Sequence, residues 1–336
     1  MNKIVAYARL LRLPGIGGLA IPPVIGAITV GMYDVYNLAI VFVIGALAAL
    51  FGFILNDVID VEVDKLSDEL KGKPLVSGDI STKTAIGICV FFMLLTFLLI
   101  FYLWYNETLT YLKFGALLCI ILAGVLGSLY DFYGKQFVGS DFLVAISMAL
   151  IFLFGALAFD GHEPNIITWI IFILTFNHLL HMNAVEGGLK DADHDYRKGV
   201  KNIALASGIQ VKGENIVIPL RFKAFGMGIR LFSACLLFVP FIFYKYEYYL
   251  WQIAILVLAI FGVLLFSIKL LSIKKFDRNK IRKYIAMQSF LRYSLVPIML
   301  ISIIGLTYSI ILIIFPIVWY IMFTPLIGEK LFRPRM

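Results

Sequence analysis

Charge is scarce in this chain. Of 336 residues only 15% are Asp, Glu, Lys or Arg, against about 25% in an ordinary soluble domain. Four histidines leave little material for a soft-metal centre. The three cysteines, Cys89, Cys119 and Cys235, stand far apart inside apolar runs, without metal-ligand spacing or an even count for disulfides, and read as packing residues. No long polar, proline-rich or serine-rich tract is present, which excludes a disordered protein. Nor do aromatic residues interleave with a basic patch as in a nucleic-acid-binding module, so nucleic acid is not an expected partner. What fills the chain is apolar: 61% hydrophobic residues and a mean hydropathy of +0.95. Length alone would allow two soluble domains, but this composition describes one all-α, polytopic membrane domain over residues 1–336.

A spanning helix needs about 20 mostly apolar residues. Segments of that kind, bounded by charge, Gly or Pro, fall at approximately 15–33, 37–56, 83–105, 110–130, 141–160, 165–187, 225–245, 248–272 and 290–323. The expectation is about nine spans in one bundle around a central cavity. The last segment carries Pro297 and Pro316, which predict a kink or a break. The first has no small-residue cleavage site and reads as a retained helix rather than a signal peptide. Most of the 29 Lys and Arg residues fall on the side that holds the N-terminus. The positive-inside rule then makes the N-terminus cytoplasmic in a multi-pass protein of the cell membrane, although Lys330, Arg333 and Arg335 run against the trend. Glycines 26, 45, 52, 124 and 127 read as close-packing positions between helices.

Two connections on the cytoplasmic side, 57–82 and 188–224, are long and open on acidic clusters, which suggests two related halves facing a shared cavity. In the first, Asn56, Asp60 and Asp64 recur every four residues, so on a helix continuing from the second span they line one stripe. In the second, Asp191 and Asp195 repeat that spacing around Asp193. Carboxylates at a membrane boundary repel one another and call for a counter-charge. Oxygen donors without His or Cys favour Mg²⁺, which bridges a few carboxylates to phosphates.

Cations accompany both clusters: Lys65, Lys71 and Lys73 follow the first, Lys190, Arg197, Lys198 and Lys201 surround the second, and Arg12 and Lys135 lie at the ends of other helices. Carboxylates, a divalent metal and basic side chains describe a diphosphate site whose attached chain lies among apolar helices. The chemistry this supports is ionisation of an allylic carbon–oxygen bond. The competing reading of either cluster is a solvated helix end, and two matching clusters in so apolar a chain argue against it. A secondary transporter is the rival function, but transporter acids sit at broken helices near the midplane, whereas these fall at helix ends and in loops. His178 and His181 have no third nitrogen or sulfur partner and read as packed or water-linked side chains rather than zinc ligands.

The stretch Asn56-Asp57-Val58-Ile59-Asp60-Val61-Glu62-Val63-Asp64 resembles the first Asp-rich motif, NDxxDxxxD, of the UbiA superfamily of intramembrane prenyltransferases. Lys190-Asp191 through Asp195, with Gly199 four residues on, is similar to its second motif. Tyr130 and Lys135 resemble its Tyr…Lys element, and Arg12 the arginine before the first helix. Lys73-Pro74-Leu75-Val76-Ser77-Gly78 departs from the usual Arg-Pro-Ile-Pro-Ser-Gly. The resemblance implies Mg²⁺-dependent transfer of a prenyl group from a prenyl diphosphate to an aromatic ring or a lipid glycerophosphate. Asn56, Asp60 and Asp64 would hold one ion and Asp191 and Asp195 another, with Arg12, Lys73, Lys135 and Lys198 or Lys201 on the diphosphate. Tyr130 would steady the carbocation or place the acceptor.

Overall fold

The computed structural model describes residues 2–65, 70–160 and 163–328; part of the first acidic connection and the tail cations Lys330, Arg333 and Arg335 fall outside them. The chain is a polytopic membrane protein of the all-α class, with one short hairpin. Among the described residues seven helical stretches are long and apolar enough to cross a membrane: Lys3–Thr29, Val35–Glu62, Thr82–Leu103, Tyr111–Tyr133, Ile166–Lys190, Leu250–Leu271 and Leu306–Ile327. Two further expected segments, 141–160 and 225–245, form helices below that length. Two compact units divide the fold, and both draw on distant parts of the sequence.

The first unit holds Met1–Phe132, Ala149–Thr168 and Pro316–Leu331. Its first span consists of three short helices, α1 (Lys3–Leu10), α2 (Leu13–Leu19) and α3 (Ile21–Thr29), set off by the left-handed Arg12 and by prolines in the first turns of α2 and α3. Proline suits a first turn because its missing N–H has no intrahelical partner there. Helix α4 (Val35–Asp64) has 30 residues, about 45 Å at the α-helical rise, against a hydrocarbon layer of about 30 Å. The excess carries Asn56–Asp64 past the apolar stretch as helix, which is why the first acidic cluster has helical spacing. Helix α5 (Thr82–Leu103) returns along α4, capped by Ser81, whose hydroxyl accepts from the Thr84 amide at 3.1 Å. Helix α6 (Tyr111–Tyr133) follows.

Within this unit α3 crosses residues 149–157 of α7 (Asp141–Leu157) so closely that a Cβ on Gly155 would lie 1.8 Å from the Pro23 carbonyl, and one on Gly26 would lie 2.1 Å from that of Phe152. Gly45 likewise faces Pro23, but Gly52 and Gly124 have open space around them, so those two are not the contact positions expected of them. Lys113, fully buried, pairs with Glu107 at 2.6 Å and Asp160 at 2.5 Å. Those acids neutralise a cation that topology alone would disfavour at that end of α6.

The second unit holds Tyr133–Met148 and Trp169–Phe315. Helix α8 (Ile166–Leu180) passes into a π-helical segment, His181–Gly187, then α9 (Gly188–Lys190) and α10 (Ala192–Lys198). The connection 188–224 is folded rather than a long loop: α10 is followed by α11 (Ile203–Ala206) and a hairpin of β1 (Gln210–Lys212) and β2 (Asn215–Val217), paired Gln210 to Val217. Val185, Leu189, Ala192, Ile209, Ile216 and Phe222 fix it onto a common core with Leu270 and Ile281. Helix α12 (Leu220–Leu236) precedes α13 (Val239–Phe243), which has Pro240 in its first turn. Helices α14 (Leu250–Leu271) and α15 (Arg278–Met299) then pack side by side. The expected segment 290–323 spans parts of three helices. α15 begins at Arg278 and ends at Met299, and after the short α16 (Ile301–Ile304) the left-handed Gly305 starts α17 (Leu306–Phe323). Cys89 and Cys119 are buried as expected, and Cys235 is exposed.

Candidate active-site motifs

The first motif lies where α4 outruns its apolar stretch. Asp57, 5% exposed, gathers two cations on one oxygen: Arg12 Nη2 at 2.7 Å and Lys73 Nζ at 2.8 Å. Lys73 also donates to Asp64 Oδ2 at 2.7 Å, two turns further along α4. Burial works against the Lys73 charge, but the carboxylates of Asp57 and Asp64 outweigh it and hold the ammonium above its ordinary value. The Arg12 guanidinium lies over the Phe53 ring, 4.8 Å from its centre. Its left-handed backbone, φ 45°, turns the chain between α1 and α2 and places the side chain against α4.

Asn56 faces another way. Its amide donates to Asp131 Oδ1 at 3.2 Å, linking α4 to the end of α6, one residue past Tyr130. Asp60 stands one turn beyond Asn56, and its negative charge acts on Asp131. The expected stripe is therefore shared out: Asp64 goes with Asp57 and the cations, and Asn56 goes with Asp131. Neither Asp57 nor Asp131 is singled out by the spacing argument. An acid ending the apolar run of α6 was the available signal for Asp131.

In the second unit, Asp191 stands just before the first turn of α10 without a side-chain bond to its amides, and its side chain is 45% exposed with Lys190 at 3.4 Å. The Asp195 amide donates back to the Asp191 carbonyl at 2.9 Å, which sets the two carboxylates one turn apart. Asp195 Oδ2 accepts from Asn202 at 2.7 Å, and Asn202 in turn caps α11 through the Leu205 amide at 2.8 Å. Burial first, then the charge of Asp191, pushes the Asp195 carboxyl up to about 6, while Lys135 and Lys198 pull it down. The Lys201 amide donates to the Lys135 carbonyl at 3.0 Å, fastening that loop to the segment after α6. Asp191, Asp195, Lys135, Lys198 and Lys201 are thus assembled in one place. Asp193, between Asp191 and Asp195 in sequence, is paired with Arg278 at 2.6 Å.

Among the described residues no three acidic or imidazole side chains converge into a ready metal cage. The donors still fit Mg²⁺. They are all oxygen, they come in carboxylate pairs, and this ion keeps several waters while binding through one or two carboxylates and a phosphate. Asp191 and Asp195, like charges one turn apart, form a pair whose repulsion a divalent ion would relieve. His181 is buried beside Glu186 and takes no part in either motif.

The sequence profile of the UbiA prenyltransferase family matches residues 19–295. A digeranylgeranylglyceryl phosphate synthase of Sulfurisphaera tokodaii is 28% identical over 213 residues, 62% of this chain and 72% of that protein. A 4-hydroxybenzoate octaprenyltransferase of Francisella tularensis subsp. mediasiatica is 29% identical over 221 residues, 63% and 73% of the two chains. In fold, the chain resembles a solved digeranylgeranylglyceryl phosphate synthase, with a TM-score of 0.65 at 18% identity over 91% of this chain and 100% of that one. It also resembles a UbiA homologue from Archaeoglobus fulgidus bound to GPP and Mg²⁺, with a TM-score of 0.61 at 19% identity over 89% and 99%. With the family profile covering most of its length, the chain belongs to the UbiA prenyltransferase family and is a prenyltransferase.

Proposed function

We propose that the protein transfers a prenyl group from a prenyl diphosphate to an aromatic quinone precursor or a lipid glycerophosphate, with Mg²⁺, and releases diphosphate. The observation that carries this reading is that each acidic motif has its own cations: Arg12 and Lys73 with Asp57 and Asp64, Lys135 and Lys198 with Asp191 and Asp195. Both relatives named above are prenyl-transferring enzymes by name, one a glyceryl phosphate synthase and one acting on 4-hydroxybenzoate.

Heterolysis of the allylic carbon–oxygen bond leaves its electron pair on diphosphate, and the acceptor oxygen or ring carbon then bonds to the cation and loses a proton. Mg²⁺, when bound, would supply charge to the leaving oxygens. Asp60 and Asp64, with Asn56, would hold one ion, and Asp191 and Asp195 a second. Arg12, Lys73, Lys135, Lys198 and Lys201 supply donors for the remaining phosphate charge, each charge-assisted hydrogen bond contributing about 1.5–3 kcal/mol. Asp57 keeps Arg12 and Lys73 at the motif. Tyr130 offers an aromatic face for the cation or a hydroxyl for the acceptor. The donor tail and the acceptor reach the site from membrane lipid, and the N-terminus and both acidic connections face the cytoplasm.

The test is diphosphate release by the purified protein with one radiolabelled prenyl diphosphate against glycerophosphate ether, hydroxybenzoate, naphthoate and porphyrin acceptors. Release that requires Mg²⁺ together with one of the first three supports the reading. Prenylation of the porphyrin alone, or release independent of Mg²⁺, overturns it.

A further inference from the structure

Helix α15 touches the segment around the second motif at two places, nearly four turns apart along its own axis. At its N-terminal end Arg278 donates through Nη2 to Asp193 Oδ1 at 2.6 Å and through Nε to the Lys190 carbonyl at 3.2 Å. Farther along, Arg292 donates through Nη1 to Glu186 Oε1 at 2.5 Å, and that oxygen also accepts from Arg230 of α12 at 2.8 Å. Arg292 Nη2 is held by Ser289 at 2.6 Å. Arg230 also reaches Gln288 at 3.2 Å, itself bonded by Ser267 of α14 at 2.9 Å. Glu186 is 1% exposed, and Arg230 and Arg292 are 6% exposed.

Such a cluster is expensive in an apolar span unless it serves a purpose beyond packing. Glu186 lies in the π-helical segment, a winding that is rare and concentrates near functional sites. The Gly187 carbonyl, next in the chain, accepts from the Asp191 amide at 2.9 Å, and the Asp191 carbonyl accepts from the Asp195 amide. The two contacts of α15 therefore bracket the turn that presents Asp191, one on each side of it.

We propose that α15 is a splint for the second acidic motif, with Arg292, Arg230 and Glu186 anchoring the turn before Asp191 and Arg278 anchoring the turn after it. These are positioning residues for the proposed Mg²⁺-binding pair Asp191 and Asp195, so the inference rests on the proposed function. Loss of either anchor leaves the carboxylates present but lets their spacing wander. Groups that orient metal-binding side chains change metal affinity by about 10–100-fold when removed.

The experiment uses the full-length protein in detergent. Arg278→Gln is compared with Arg278→Lys, which can restore the pair to Asp193 but not the second bond to the Lys190 carbonyl. Mn²⁺ binding followed by electron paramagnetic resonance, and hydrogen exchange of the amides of 191–199 in the metal-free protein, are read alongside turnover. The splint predicts about tenfold weaker Mn²⁺ binding and faster exchange confined to 191–199 in Arg278→Gln, partial recovery in Arg278→Lys, and unchanged exchange in α14. Glu186→Gln reports on the other anchor with the same signature. Unchanged Mn²⁺ affinity and exchange in folded Arg278→Gln and Glu186→Gln would overturn the splint, as would exchange that quickens throughout α14. Asp191→Asn is the control: if it binds Mn²⁺ normally the proposed metal role itself has failed, and if it does not, failure is confined to the splint.

Discussion

Arg12 donates through Nη2 to Asp57 Oδ1 at 2.7 Å, an ion pair between residues 45 positions apart in the sequence. It makes Asp57 the hub of the first motif rather than a bystander in it, because Lys73 shares the same oxygen. Asp57→Asn frees both cations from a buried partner. The expected result is a loss of about 2 kcal/mol of stability, of the order of one to two charge-assisted hydrogen bonds, and a raised donor KM with little change in the Mg²⁺ concentration at half-maximal rate. Asp64→Asn should do the reverse and raise the Mg²⁺ requirement. Thermal unfolding in detergent and steady-state kinetics read both, and a Mg²⁺ effect in Asp57→Asn equal to that in Asp64→Asn would place the two acids in one role.

Lys135 contributes its charge to the second motif and its backbone carbonyl to Lys201. Replacement by Ala removes the charged side chain and leaves the backbone carbonyl in place. Donor turnover should fall about 10–100-fold, the equivalent of 1.5–3 kcal/mol for one charge-assisted contact. An unchanged rate would reduce Lys135 to a determinant of topology.

The contact of Gly155 with Pro23 leaves no room for a methyl group. Gly155→Ala should force α3 and α7 apart and cost about 1–3 kcal/mol or more, as overpacking does. Gly124→Ala, with nothing within 4 Å of the added atom, should be tolerated. Melting temperatures in one detergent check this: Gly155→Ala should melt well below Gly124→Ala, and equal values would contradict the account.

Single cysteines placed at Lys83 and at Lys212, both exposed, in a background without Cys235 report on the sidedness of the two acidic connections. Neither should react with an impermeant thiol reagent added outside intact cells, while a cysteine at Tyr105, at the other end of α5, should. Labelling of one connection and not the other would break the shared reaction into two.

How much of this was legible beforehand depends on the range of the interaction. The stripe of Asn56, Asp60 and Asp64 follows from helical period alone, and α4 does continue through it because its length exceeds the membrane. The Asp191 and Asp195 pair is equally local. By contrast, the partnership of Asp57 with Arg12 and Lys73 is tertiary, and spacing cannot choose which acid of a cluster receives a cation. Glu186, Arg230 and Arg292 did leave a signal, since all three are ionisable residues of complementary charge inside segments read as spans. The π-helical winding that brings Glu186 to the arginines leaves none. The connection 188–224 read as a loop because its elements are only three to seven residues long, too short for a periodic pattern to register.

The central claim is that both acidic motifs serve one Mg²⁺-dependent departure of diphosphate. The most direct measurement is Mg²⁺-dependent diphosphate release, at saturating donor, by folded Asp60→Asn, Asp191→Asn and the double variant. Each substitution is nearly isosteric and removes one negative charge. Each single variant should lose most of its turnover, and the double variant should be little worse than the poorer single one, as for groups that act as a unit. Near-normal release by either single variant at modest Mg²⁺ would contradict the account and return that motif to a solvated helix end.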